Sequence, residues 1–175
     1  MPSSFDRFLA QIVSPGLRQV AEHLHEARGN RLMPAWSAID PSKIVRILPD
    51  IWAYSVDQTT GTFRAKLAGN NIVSRYAGHH AGKSIDELFS SPEREVIRTR
   101  FMRIATGPCF IRDYGPIYTA AGRYGEGERI AMPLATDGLN VDAILGATFY
   151  RCEVAAVAVE DPIAHLLDEA NFYPL

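Results

Sequence analysis

Cysteine is almost missing from this chain: Cys109 and Cys152 are the only two among 175 residues. Two thiols cannot build a disulfide framework, so both read as small buried hydrophobes. Long apolar runs are missing too. The longest, Val154 to Val159, is strand-sized, well short of the 18 or so residues a spanning helix needs, so no membrane role is expected. Neither sign of charge dominates: 18 basic side chains face 20 acidic ones. A nucleic-acid binder would carry a basic stripe, and none is present. Asp6 and Arg7 interrupt the stretch where a secretory leader needs an apolar run, and a cytoplasmic protein is expected.

Catalytic signatures are equally scarce. There is no nucleophile elbow, serine–lysine pair, carboxylate pair or kinase motif, so the expectation is a protein that is not an enzyme and has no catalytic residues. His23 and His25 are two apart on a predicted helix and point to different faces. His79-His80 is a lone adjacent pair. Neither brings the remaining ligands of a metal or haem site, so no metal is expected and no cofactor is specified. Gly122-Arg123-Tyr124-Gly125-Glu126-Gly127 resembles a phosphate loop in composition. It opens no helix, so a hairpin connection is expected there instead.

What is present is ordinary globular material, 47% hydrophobic and 22% charged, enough for one domain with extensions. Ser14-Pro15 starts a helix that runs to Arg28, with Leu17, Val20, Ala21 and Leu24 forming one apolar stripe. Asp40-Pro41 starts a short helix that Pro49 stops. Ile51–Val56 and Thr62–Ala68 read as a hairpin, the second strand alternating Phe63, Ala65 and Leu67 with Arg64 and Lys66. Short helices follow at Asn70–Gly78, at Ser84–Phe89 with capping-box spacing, and from Ser91-Pro92 to Ala105. Three strands are then predicted: from Cys109 to about Tyr118, over Glu128–Ala135, and over Leu139–Tyr150, the last two joined at Asp137-Gly138. In the last strand Leu139, Val141, Ala143, Leu145, Ala147 and Phe149 are all apolar, so that face must be buried. A final helix is predicted from Asp161-Pro162 to Ala170. The order implies an α+β fold: a five-stranded antiparallel sheet with short helices over one face and an N-terminal amphipathic helix. Residues 1–33 read as a helical extension, 34–151 as the domain, and 152–175 as a tail with a short helix.

That order, with the segment Gly69-Asn70-Asn71-Ile72-Val73, Tyr76-Ala77-Gly78, Gly82 to Phe89 and Ser91-Pro92-Glu93, resembles PAS domains. Asp40-Pro41, Leu48-Pro49, Lys66-Leu67-Ala68-Gly69 and Pro133-Leu134 further resemble a bacterial group of stand-alone PAS proteins, although Lys66 and Asn70 stand where that group carries Arg and Thr. The resemblance spans roughly residues 34 to 151. It implies a sensory or signalling domain that binds a small molecule or a protein partner and relays the change. The Gly82–Phe89 stretch holds no cysteine, which excludes the light-driven flavin adduct of photosensory relatives.

Candidate ligand contacts follow from parity. Arg112 lies between Phe110 and Tyr114 on one strand face. Two readings stay open: Arg112 lies across exposed aromatic surface, or it meets an anionic ligand inside a cavity. For the cavity reading the contacts are Arg112, Tyr114, Tyr76, Phe101, Met132, Ala147 and Phe149, with Ala147 leaving space over the sheet. The stripe of the first helix must pack on its own sheet or on a second copy, and a homodimer through that helix is expected. Two further readings are a small cavity enzyme using Asp113 as its acid or base, and a structural interaction module with a packed core.

Overall fold

A computed structural model describes residues 1–76, 80–119, 123–154 and 171–175. The predicted final helix over Asp161–Ala170 lies outside the described residues. Helix α1 (Ser4–Gln11) was not anticipated. It is started by a capping box in which the Ser3 hydroxyl accepts from the Asp6 amide and Asp6 accepts from the Ser3 amide at 2.8 Å. Aspartate in place of the longer Glu or Gln hides this signal from a sequence search. Helix α2 (Pro15–Ala27) matches its predicted span, capped by Ser14 and followed by Gly29 at φ +56°. The Asp40-Pro41 helix becomes two separate 3₁₀ turns, Pro41–Ile44 and Leu48–Asp50.

The sheet comprises β1 (Ile51–Asp57), β2 (Thr62–Ala68), β3 (Cys109–Thr119), β4 (Arg123–Leu134), β5 (Ala143–Val154) and β6 (Asn171–Pro174). Every pairing is antiparallel and the order is β2-β1-β5-β4-β3-β6. Five strands were expected; β6 adds a sixth at the edge by pairing Phe110 with Tyr173 and Arg112 with Asn171. The glycines of 123–127 lie in the outer half of β4, where Thr119 pairs with Arg123, so the hairpin expectation holds. The Asp137-Gly138 turn is part of a longer connection. Asp137 accepts from the amides of Leu139 and Asn140, and Gly138 takes φ +78°, so β5 begins only at Ala143.

Helices α3 (Asn70–Arg75), α4 (Ile85–Leu88) and α5 (Glu93–Thr106) cover one face of the sheet. The capping box read at Ser84 is present, with the Ser84 amide donating to Glu87 at 2.7 Å. The opposite face is also covered. Phe8 of α1 and Leu17, Val20, Ala21 and Leu24 of α2 pack on Ile51, Ile130, Met132, Leu134, Leu145 and Ala147, all buried. Consecutive residues such as Ile130 and Ala131, or Ile144 and Leu145, therefore enter different cores. The sheet is the middle of three layers. The apolar stripe of α2 is taken up by its own sheet.

Two glycines permit contacts that a side chain would block. A Cβ at Gly146 would fall 2.1 Å from Trp52 Cζ2, because the Trp52 indole lies flat on its cross-strand neighbour. A Cβ at Gly69 would fall 2.3 Å from the Leu48 and Pro49 carbonyl oxygens, which seats α3 directly on the turn before β1.

Candidate functional site

Between the sheet and α3–α5 lies a cavity of about 50 Å³. Its apolar end is aromatic: Trp52 and Tyr54 rise from β1, Phe101 descends from α5, and Trp52 and Phe101 stack at 5.7 Å. Tyr76, at the end of α3, meets Phe89 edge-on at 5.5 Å and His80 at 6.0 Å. Such pairings fix ring orientations and hold the wall rigid.

The other end is polar and belongs to three neighbouring strands. Asp113 of β3 pairs across the sheet with Arg129 of β4, and Arg129 with Thr148 of β5. Arg100 of α5 donates to Asp113 Oδ2 at 2.8 Å, both side chains about nine-tenths buried. Asp113 Oδ1 is buried and has no hydrogen-bond partner among the described residues. Arg129 donates through Nε to Thr148 Oγ1 at 3.3 Å and through Nη2 to Tyr76 Oη at 3.4 Å. Thr148 Oγ1 also accepts from the Trp52 indole at 2.9 Å. None of the ion pairs among the described residues involves Arg129. Nearby, burial pushes the Glu93 carboxyl up to about 8, against a smaller downward pull from Arg129. Burial likewise drives the Tyr54 and Tyr76 hydroxyls upward, so both stay neutral donors.

Two of the seven sequence-derived contacts, Tyr76 and Phe101, line this cavity. The other five lie on the far face of the sheet. Arg112 Nε donates to Glu128 Oε1 at 2.7 Å, and Glu128 accepts from the Val13 and Ser14 amides at 2.9 and 2.7 Å. Arg112 is therefore a clamp on the α1–α2 junction, corrected from a cavity contact. Met132 and Ala147 are core under α2. Tyr114 and Phe149 edge a separate hollow of about 360 Å³ beside Ser14 and Arg46. The physical reason is the three-layer arrangement: both faces of the central strands are buried, so apolar parity alone could not select the cavity face. Arg129, Asp113, Arg100 and Thr148 line the cavity and were not among those seven contacts. A signal for two of them exists in the dipeptides Arg112-Asp113 and Glu128-Arg129, which put opposite charges on opposite faces of paired strands.

The remaining candidates have structural roles. His23 Nε2 accepts from the Asp40 amide at 3.0 Å, and His25 stacks on Phe5 at 3.7 Å. Among the described residues no group of three or more His, Cys, Asp or Glu is placed to hold a metal. Cys109 is a buried free thiol whose pKa is raised by burial, as the small-hydrophobe reading expects; the Cys152 side chain lies outside the described residues. Among the described residues no helix is long and apolar enough to cross a membrane.

The strand order, the short helices over the sheet and the cavity between them meet a direct comparison: the family model for the PAS domain matches residues 12–149. The chain belongs to the PAS domain family. A search among curated proteins finds no match. The match takes in α2 as well as the sheet and its covering helices, so in this PAS domain the helix beneath the sheet lies inside the matched span. Its cavity occupies the space between the sheet and the helices that follow β2.

Proposed function

We propose that this PAS domain is a non-catalytic sensory module that takes a small molecule into the cavity above the sheet. Residues 34–151 form the sensing unit and residues 1–33 the relay. The observation that carries this reading is the cavity's composition: a rigid aromatic wall facing a guanidinium, a carboxylate oxygen without a partner and a threonine. A packed structural core would not retain such groups, because each costs free energy unless something satisfies it. As it stands the cavity is too small for a haem or flavin.

The output belongs to a protein partner or a second copy. Because the α2 stripe is buried on its own sheet, a homodimer through the N-terminal helices would use their outer faces. The test is native mass spectrometry of the freshly purified protein together with thermal-shift screening against small metabolites. A retained or stabilising ligand supports the sensor reading. Silence in both, with unfolding unchanged by every metabolite, would favour the structural module.

Asp113 does face the cavity, as a small cavity enzyme would require. Its Oδ2 is held by Arg100, which suits a positioned charge better than a proton carrier. Turnover of any carboxylate or amide probe that Asp113→Asn abolishes would restore the enzyme reading.

A further inference from the structure

The charges around the cavity do not cancel. Arg100 and Asp113 form a buried pair and neutralise each other. Arg129 stays protonated under all conditions that proteins meet, and its hydrogen bonds go to two neutral hydroxyls, those of Thr148 and Tyr76. The titratable groups around it include Tyr54 from β1, Tyr76 just after α3, Glu93 and Arg100 from α5, Asp113 from β3 and Tyr150 from β5. The tyrosines are neutral, Asp113 is already committed to Arg100, and burial keeps Glu93 largely protonated at neutral pH. Among the described residues the polar end of the cavity therefore carries one positive charge in excess. Arg129 is half-buried and has no ion-pair partner among the described residues; a partly desolvated cation gains free energy when an anion enters beside it.

From this geometry we infer that the ligand is a short-chain monocarboxylate whose carboxylate pairs with Arg129 and whose carbon chain lies against Trp52 and Phe101. This rests on the sensor reading above and names the ligand class for the same cavity. Three features select within that class. The guanidinium fork matches a carboxylate in two-pronged geometry, with Thr148 beside it. A second negative charge on the ligand would meet Asp113, which lines the same space, so a dicarboxylate is disfavoured. The volume of about 50 Å³ restricts the chain to a few heavy atoms before the aromatic wall must move.

The test uses the full chain and its thermal unfolding at constant ionic strength. The probes are sodium acetate and propionate, their neutral isosteres acetamide and propionamide, and succinate. At about a hundredfold over the dissociation constant a carboxylate should raise the melting temperature by about 5 °C or more. The amides and succinate should raise it far less. Arg129→Met should lose the carboxylate response. Arg129→Lys, which keeps a charge and controls for folding, should retain a weakened one. Equal responses to acetate and acetamide, a stronger response to succinate, or an undiminished carboxylate response in Arg129→Met would overturn the monocarboxylate assignment while leaving a ligand-binding cavity in place. If neither the carboxylates nor the amides shift the wild-type protein, the monocarboxylate assignment falls, while the sensor reading is decided separately by the native mass spectrometry and the metabolite screen.

Discussion

Glu128 and Arg129 are neighbours on β4 that serve opposite faces of one sheet. Glu128 points under the sheet, where it accepts the Val13 and Ser14 amides and the Arg112 guanidinium, while Arg129 points above it and lines the cavity. The cavity and the α1–α2 junction are thereby joined through a single peptide bond.

The Glu128 contact is central to stability because Glu128 is only 2% exposed. Glu128→Ala leaves a buried guanidinium without its carboxylate and two amides without an acceptor. The expected loss is about 3–5 kcal/mol, read from urea unfolding at neutral pH. A loss below about 1 kcal/mol would mean that water replaces the carboxylate and that the junction is not held there.

Gly146 gives a second test. An added methyl group must displace the Trp52 indole, 2.1 Å away, and with it the indole hydrogen bond to Thr148. Gly146→Ala is expected to cost about 1–3 kcal/mol, the usual range for overpacking, and to shift the tryptophan emission maximum to longer wavelength. Unchanged emission with unchanged stability would show that the indole has room to retreat.

The sequence made the α2 cap, the Ser84–Glu87 capping box and the β1–β2 hairpin legible, because each rests on contacts within a few residues. The side of the sheet on which each β3 and β5 residue lies was harder. Arg112 between two aromatics has the same local pattern whether it faces a cavity or the underside of two helices. Only the long-range contact with Val13 and Ser14, made through Glu128, distinguishes them. The edge strand β6 was illegible for a related reason: Asn171–Pro174 is four residues long and ends in proline, so its identity comes from pairing with β3.

Glu93 makes stability depend on pH with a definite sign. Its folded pKa of about 8 lies above the 4.5 of an ordinary glutamate, so the folded state holds the proton more tightly. Stability from this group is fully present below about pH 4.5 and falls as pH rises, reaching its minimum above about pH 8. The full change is on the order of 5 kcal/mol, since each tenfold difference in proton affinity corresponds to about 1.4 kcal/mol. Glu93→Gln, neutral at every pH, should flatten that part of the profile. The variant should exceed the wild type in stability at pH 8.5 and come close to it at pH 5. Parallel profiles for the two proteins would refute the assignment.

The Arg100–Asp113 pair separates the cost of breaking a buried ion pair from the cost of lacking one. Arg100→Met removes the donor to the buried Asp113 Oδ2; Asp113→Leu removes the acceptor of that same bond. Each single change should destabilise by about 3–5 kcal/mol. The double variant replaces both groups with apolar side chains and removes the desolvation penalty together with the attraction, so it should lie within about 2 kcal/mol of the wild type. Chemical denaturation of all four proteins reads the coupling directly. Simple additivity, with the double variant losing the sum of both single losses, would show that the two side chains act independently and that the cavity's polar end is not organised as a pair plus one surplus cation.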